Sequence, residues 1–189
     1  MYHQIDVGAS IKKEKLVFER ETSLFSFIDK FSRFFLNTIF ISAFPFISIM
    51  TLIDNIKNNN SFILTFLSTI ISIVISFYIL FSLAASSKLK RIIGISGSKN
   101  RTIIKNIKLE SNWEIQRHNQ EITVFKKKWT WTSTNWGRQL FIIYDGKDIL
   151  INCTTFGKYD AKSPFHWFSS RKIEKQFQRK FQKYIRLKH

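Results

Sequence analysis

The chain has 189 residues, 44% of them apolar and 16% aromatic, with a formal net charge of +17 and one cysteine. A lone cysteine excludes an intramolecular disulfide framework, and the apolar residues are gathered too unevenly for the chain to be read as one globule. The charge is uneven as well: residues 1–33 hold six basic and five acidic side chains, while residues 86–189 hold 23 basic and seven acidic.

Residues 1–21 are polar and mixed in charge, with no sustained period, and read as an extended or loosely ordered arm. Over 22–33 the pattern changes. Leu24, Phe27, Ile28, Phe31 and Phe35 follow helical spacing, while Lys30 and Arg33 lie mostly elsewhere on the wheel. This predicts an amphipathic helix, either lying at the membrane interface or extending the next segment into the cytoplasm.

No charged residue occurs over 34–53 or over 62–85, and each stretch matches the roughly 20 residues that cross a bilayer core. Two transmembrane helices are expected there, against the alternative of buried helices in a soluble protein. Acidic residues including Glu14, Glu19, Glu21 and Asp29 precede the first span, which argues against a cleaved signal peptide. Pro45 predicts a kink within it. The 54–61 loop is short and carries one Asp and one Lys, whereas Lys30, Arg33, Lys88, Lys90 and Arg91 flank the outer ends of the spans. Positive residues near a span resist translocation, so both termini are expected in the cytoplasm and the chain in the inner membrane. Ser68, Ser72 and Ser76 recur at four-residue spacing, as suits helix packing within the hairpin or a homo-oligomer, a pore being the alternative.

Residues 86–98 read as a basic connector with flexible points at Gly94 and Gly97, and 99–189 as a basic cytoplasmic domain. Ile103, Ile104 and Ile107 suggest a short helix capped by Ser98, or a strand. Strands are expected over 113–118, 121–132, 140–144 and 148–153, with turns at Asn119-Gln120 and Asp145-Gly146. From Ser169, Ile173, Phe177, Phe181 and Ile185 mark a closing helix, with Ser169 or Ser170 as its cap. The expected fold is a membrane α-helical hairpin joined to a small two-layer α+β domain: an antiparallel sheet of about four strands with a C-terminal amphipathic helix on one face.

No phosphate-cradling glycine loop, His-Glu-x-x-His, Cys-x-x-Cys or Gly-x-Ser-x-Gly occurs, and the histidines and acids form no recognisable set. No enzyme, metal or cofactor is expected. Cys153, inside a β run, reads as a small buried hydrophobe rather than a nucleophile. Neither span carries an ionisable residue of the kind that marks transport pathways.

Two basic regions remain. Lys126, Lys127, Lys128, Trp129, Trp131, Trp136 and Arg138 interleave cations with planar rings, which suits nucleotide or nucleic-acid stacking, a tryptophan-rich core or headgroup-level docking. Arg171, Lys172, Lys175, Arg179, Lys180 and Lys183 belong to a helix in which eight cations face one acid, Glu174. Such a field attracts anionic lipid, an acidic protein or RNA. The leading expectation is a membrane-anchored binding or scaffold subunit, with a protein partner in a membrane complex; the alternative is a ligand-gated effector whose sheet binds a nucleotide-like signal and whose spans then oligomerise.

Overall fold

A computed structural model describes residues 5–19, 24–58, 63–107, 109, 112–127, 137–156 and 166–187, with the backbone alone for 24–38 and 40. The chain forms two compact units, one from Met1–Glu19 with Ala84–His189 and one from Arg20–Leu83.

The first unit is built on an antiparallel sheet of order β1-β5-β4-β3-β2, comprising β1 (Lys90–Ile92), β2 (Trp113–His118), β3 (Ile122–Lys127), β4 (Arg138–Asp145) and β5 (Asp148–Thr155). The central hairpin β4–β5 closes with Asp145 opposite Asp148, and Gly146 takes φ +60°, the left-handed conformation that a tight hairpin turn requires. In the β2–β3 turn the Asn119 side-chain oxygen accepts from the backbone N–H groups of Glu121 and Ile122 at 3.0 and 2.7 Å. The edges are blunted: β1 has three residues, and β2 is irregular between Ile115 and Arg117.

β4 and β5 are buried at nearly every position and carry apolar residues on both faces, so both sheet faces are covered. On one face Leu140, Ile142, Tyr144, Ile149, Ile151 and Cys153 pack with Ile103, Ile104 and Ile107 from α4 (Gly97–Asn106) and its end, and with Phe177 and Phe181 of α5 (Trp167–Arg186). On the other face Val124, Phe141, Ile143, Leu150 and Phe156 pack with Ile5, Leu16 and Leu89. Phe18 completes an edge-to-face trio there, 6.1 Å from Phe141 and 6.0 Å from Phe156 between ring centres. The sheet therefore lies between two layers, where the sequence had suggested one.

That second layer corrects the expectation of a loose arm. Residues 5–19 hold a short helix, α1 (Val7–Lys13), capped by the Asp6 carboxylate, which accepts from Ala9 N–H at 2.8 Å. The buried Ser10 hydroxyl accepts from Val17 N–H at 2.9 Å, and Leu16 N–H donates to Ser87 C=O at 2.7 Å. Ile5 and Leu16 are left only 6% and 4% exposed.

The expected connector is likewise structured. It supplies β1, a fifth strand paired with β5, and the true cap of α4 is Ser96, not Ser98. Gly94 serves close approach rather than flexibility: a Cβ there would collide with the Asn100 amide and with Lys147 C=O. The Asn100 side chain accepts from Ile95 N–H at 3.0 Å and donates to Lys147 C=O at 2.8 Å. The closing helix starts two residues before Ser169, with His166 at its cap position and Ser169 in its first turn.

The second unit contains α2 (Leu24–Lys57) and most of α3 (Ile63–Ala85). α2 is one helix with Pro45 inside it, so the expected interfacial segment and first span are continuous. Among the described residues, one helix, α3, is long and apolar enough to cross a membrane; the span expected over 34–53 falls partly outside the described side chains. The two helices meet through Thr69, whose hydroxyl lies 3.1 Å from Ser48 C=O and 2.7 Å from Thr65 C=O, and through Asn55 and Thr65 at 3.4 Å. Ser72 and Ser76 are buried, whereas Ser68 is exposed and bonds back to Thr65 C=O. Thr69, not Ser68, continues the inward face, because positions 69, 72 and 76 fall on one side of a 3.6-residue helix.

Candidate functional site

α5 sorts its side chains by face. Ser170, Glu174, Phe177 and Phe181 are buried against the sheet, with Ile173 and Ile185 packed beside them. Lys172, Lys175, Arg179, Lys183 and Arg186 are exposed. At 100° per residue these five fall within an arc of about 80°, and from Lys172 to Arg186 they run for about 21 Å along the helix. Glu174, the one acid of α5, is 1% exposed and lies on the opposite face. It contributes no negative charge to the outward arc.

Glu174 instead anchors a buried polar cluster. Its Oε1 accepts from Cys153 N–H at 2.8 Å, and its Oε2 accepts from Arg171 Nη1 at 2.5 Å. Burial pushes its carboxyl above the usual range, and the Arg171 guanidinium works against that rise. Arg171 also donates to Ala85 C=O at 2.8 Å and lies over the Trp167 ring at 5.9 Å. The carbonyls that follow are held too. The buried Asn152 amide donates to Ser86 C=O at 2.9 Å and Lys88 C=O at 3.0 Å, and Thr154 Oγ1 donates to Ser86 C=O at 3.3 Å. The chain leaving α3 is thus seated by charged and amide donors on its last carbonyls, where a helix end carries partial negative charge. A small cleft beside it is lined by Ser86, Thr155, Trp167 and Arg171.

Arg138 does not face solvent. It is 4% exposed, and donates through Nε to Thr155 Oγ1 at 3.1 Å and through Nη2 to Ser169 Oγ at 2.7 Å. It ties β4 to the first turn of α5. The candidate cations therefore separate: Arg138 and Arg171 bind inward, and Lys172, Lys175, Arg179 and Lys183 point outward. Lys180 is half-buried. Lys126 and Lys127 are half-buried at the end of β3, and as neighbours on a strand they point to opposite faces, so they do not converge. Lys128, Trp129, Trp131 and Trp136 lie outside the described residues.

Cys153 is 3% exposed, and burial together with the Glu174 charge pushes its thiol up to about 12. The thiolate is the reactive form, so the native protein should resist Ellman's reagent at mildly alkaline pH and react once denatured. Stoichiometric reaction without denaturant would contradict this packing.

A second polar chain crosses the sheet. His118 Nδ1 lies 2.7 Å from Thr123 Oγ1, which lies 2.7 Å from Tyr144 Oη, and the Arg101 guanidinium sits over the Tyr144 ring at 5.8 Å. Burial holds the Tyr144 phenol above its usual range. Cross-strand pairing brings these residues together, so spacing in the chain does not reveal them. The Glu174 cluster did leave a signal, since position 174 precedes Phe177 by three residues and Phe181 by seven and so falls on their face. Among the described residues no group of three or more His, Cys, Asp or Glu side chains is placed to hold a metal ion. No family model, curated protein or solved structure matches this chain.

Proposed function

We propose that the chain is a non-enzymatic, membrane-anchored binding subunit: α2 and α3 cross the inner membrane as a hairpin, and the basic domain engages an anionic partner at the cytoplasmic leaflet. The observation that carries this reading is the inside-out character of α3. Thr69, Ser72 and Ser76 are 5 to 8% exposed, while Leu64, Val74 and Phe77 are 61 to 79% exposed. In water that arrangement would leave a large apolar surface uncovered; in hydrocarbon the apolar face meets lipid tails and the small residues let the helices approach.

Chain parity supports two crossings rather than one. Residues 5–19 pack into the same unit as residues 84–189, so both lie on one side of any membrane. The segment between them must then cross an even number of times. If α3 crosses, α2 crosses as well. The Lys and Arg residues flanking the hairpin favour the cytoplasm for that side.

The test uses the intact chain in spheroplasts, with single cysteines placed at exposed Asn58, beside the hairpin tip, and at exposed Gln182 on α5. The buried Cys153 gives a low background. Asn58→Cys should react with a membrane-impermeant maleimide in intact spheroplasts, Gln182→Cys only after lysis, and the chain should resist alkaline extraction. Release of the chain by alkali, or labelling of Gln182→Cys before lysis, would sink the proposal.

A further inference from the structure

The outward arc of α5 is more than a row of solvated cations, because each end carries an exposed apolar side chain. Phe168 lies one turn before Lys172 and is 66% exposed; Leu187 lies one turn after Lys183 and is 73% exposed. At four-residue spacing both fall on or beside the cationic face. We propose that this face docks flat on an anionic bilayer surface, with Lys172, Lys175, Arg179, Lys183 and Arg186 on the headgroup phosphates and Phe168 and Leu187 entering the acyl boundary. This rests on the membrane-anchored reading above and names its partner as anionic lipid.

Three observations favour a lipid surface. The arc is straight, about 21 Å long at 1.5 Å per residue, and matches a plane of charge rather than a winding phosphate backbone. Its apolar ends suit an interface with hydrocarbon beneath the headgroups and would have no role along a nucleic-acid groove. The N-terminal part of α5 is also tied, through Arg171, to the carbonyl of Ala85, the last residue of the apolar helix. The Phe168 end of the arc is therefore held in the same compact unit as Ala85, the residue that ends α3.

The experiment uses the full chain in lipid nanodiscs, with an environment-sensitive fluorophore on Gln182→Cys and a spin-labelled lipid as quencher. Discs of phosphatidylcholine alone are compared with discs that also contain phosphatidylglycerol. Quenching is expected in the anionic discs, is lost at high salt and is weak in neutral discs. Each cation near an anionic surface changes the docking equilibrium about five-fold, so the triple variant Lys175→Gln, Arg179→Gln, Lys183→Gln should lower it about 100-fold. Phe168→Ala should shift the probe toward water even at low salt. Protection of Cys153 in each variant reports that the domain is folded.

Equal quenching in both disc types, or an unaffected triple variant, would overturn the proposal. So would displacement of the probe by an RNA oligonucleotide at a concentration comparable to the protein, which would make nucleic acid the partner. The two readings fail separately. A chain that enters discs but does not dock refutes lipid docking alone, whereas a chain extracted by alkali that still binds anionic vesicles refutes only the anchor.

Discussion

Replacing Glu174 with Ala should destabilise the basic domain by roughly 3 kcal/mol, because it strands two buried groups at once. Cys153 N–H would lose its acceptor and the Arg171 guanidinium its carboxylate. Glu174→Gln keeps an oxygen for Cys153 N–H and should cost less than the alanine. Removing the other partner brings in pH. In the wild type the Glu174 carboxyl is held above its ordinary value of 4.5, so the folded state binds its proton more tightly than the unfolded chain does. That contribution is fully present below the ordinary value and is lost as pH rises through the raised one. Arg171→Ala removes the main influence opposing the rise. Its deficit against the wild type should therefore grow as pH rises above the ordinary carboxyl range, as read from denaturant midpoints of the detergent-solubilised chain. A deficit independent of pH would mean that Glu174 finds another counter-charge.

The second large effect is expected at the other end of the chain. A variant lacking residues 1–19 should fail to form a cooperative domain, because Val124, Phe141, Ile143 and Leu150 would lose the layer that covers them. Binding of a hydrophobic dye and rapid proteolysis of the 84–189 region are the expected readouts. Leu16→Ala is the milder form of the same test. A nearly buried Leu truncated to Ala costs about 2–5 kcal/mol, depending on how far the site collapses. A truncated chain with the wild-type thermal midpoint would show that the layer contributes nothing.

The elements legible in the sequence are those whose apolar spacing repeats. Asp145-Gly146 between two β-rich runs marks the central hairpin, and the four-residue recurrence from Ile173 to Ile185 marks α5. β1 was hidden because three residues cannot display a period, and Lys90 and Arg91 made it read as connector. The covering segment was hidden for a related reason. Ile5 and Phe18 form one isolated bridge on either side of the short helix, and Leu16 follows a second bridge at Lys15, so no single spacing connects them, and charged neighbours dilute their hydropathy. Yet β4 and β5 carry apolar residues on both faces, which already called for a second covering layer. In the candidate site, the division of cations into inward and outward sets depends on where the α5 wheel meets the sheet. Arg138 could not be sorted that way, because its burial follows from Thr155 across the strand pair and Ser169 in the next element.

The pairing of residues 5–19 with the sheet also orders events during synthesis. That segment is made before α2 and α3, and the strands it covers are made after them, so the covering layer closes on the sheet only once both helices have been translated. If α2 and α3 cross a membrane as proposed, a molecule in which just one of them inserts would strand the segment across the bilayer from its sheet. Its second face, with Phe141 and Leu150 uncovered, would then be open to proteases. On the proposed two-span topology, the second layer of the sheet is completed only when both ends of the hairpin emerge on the same side.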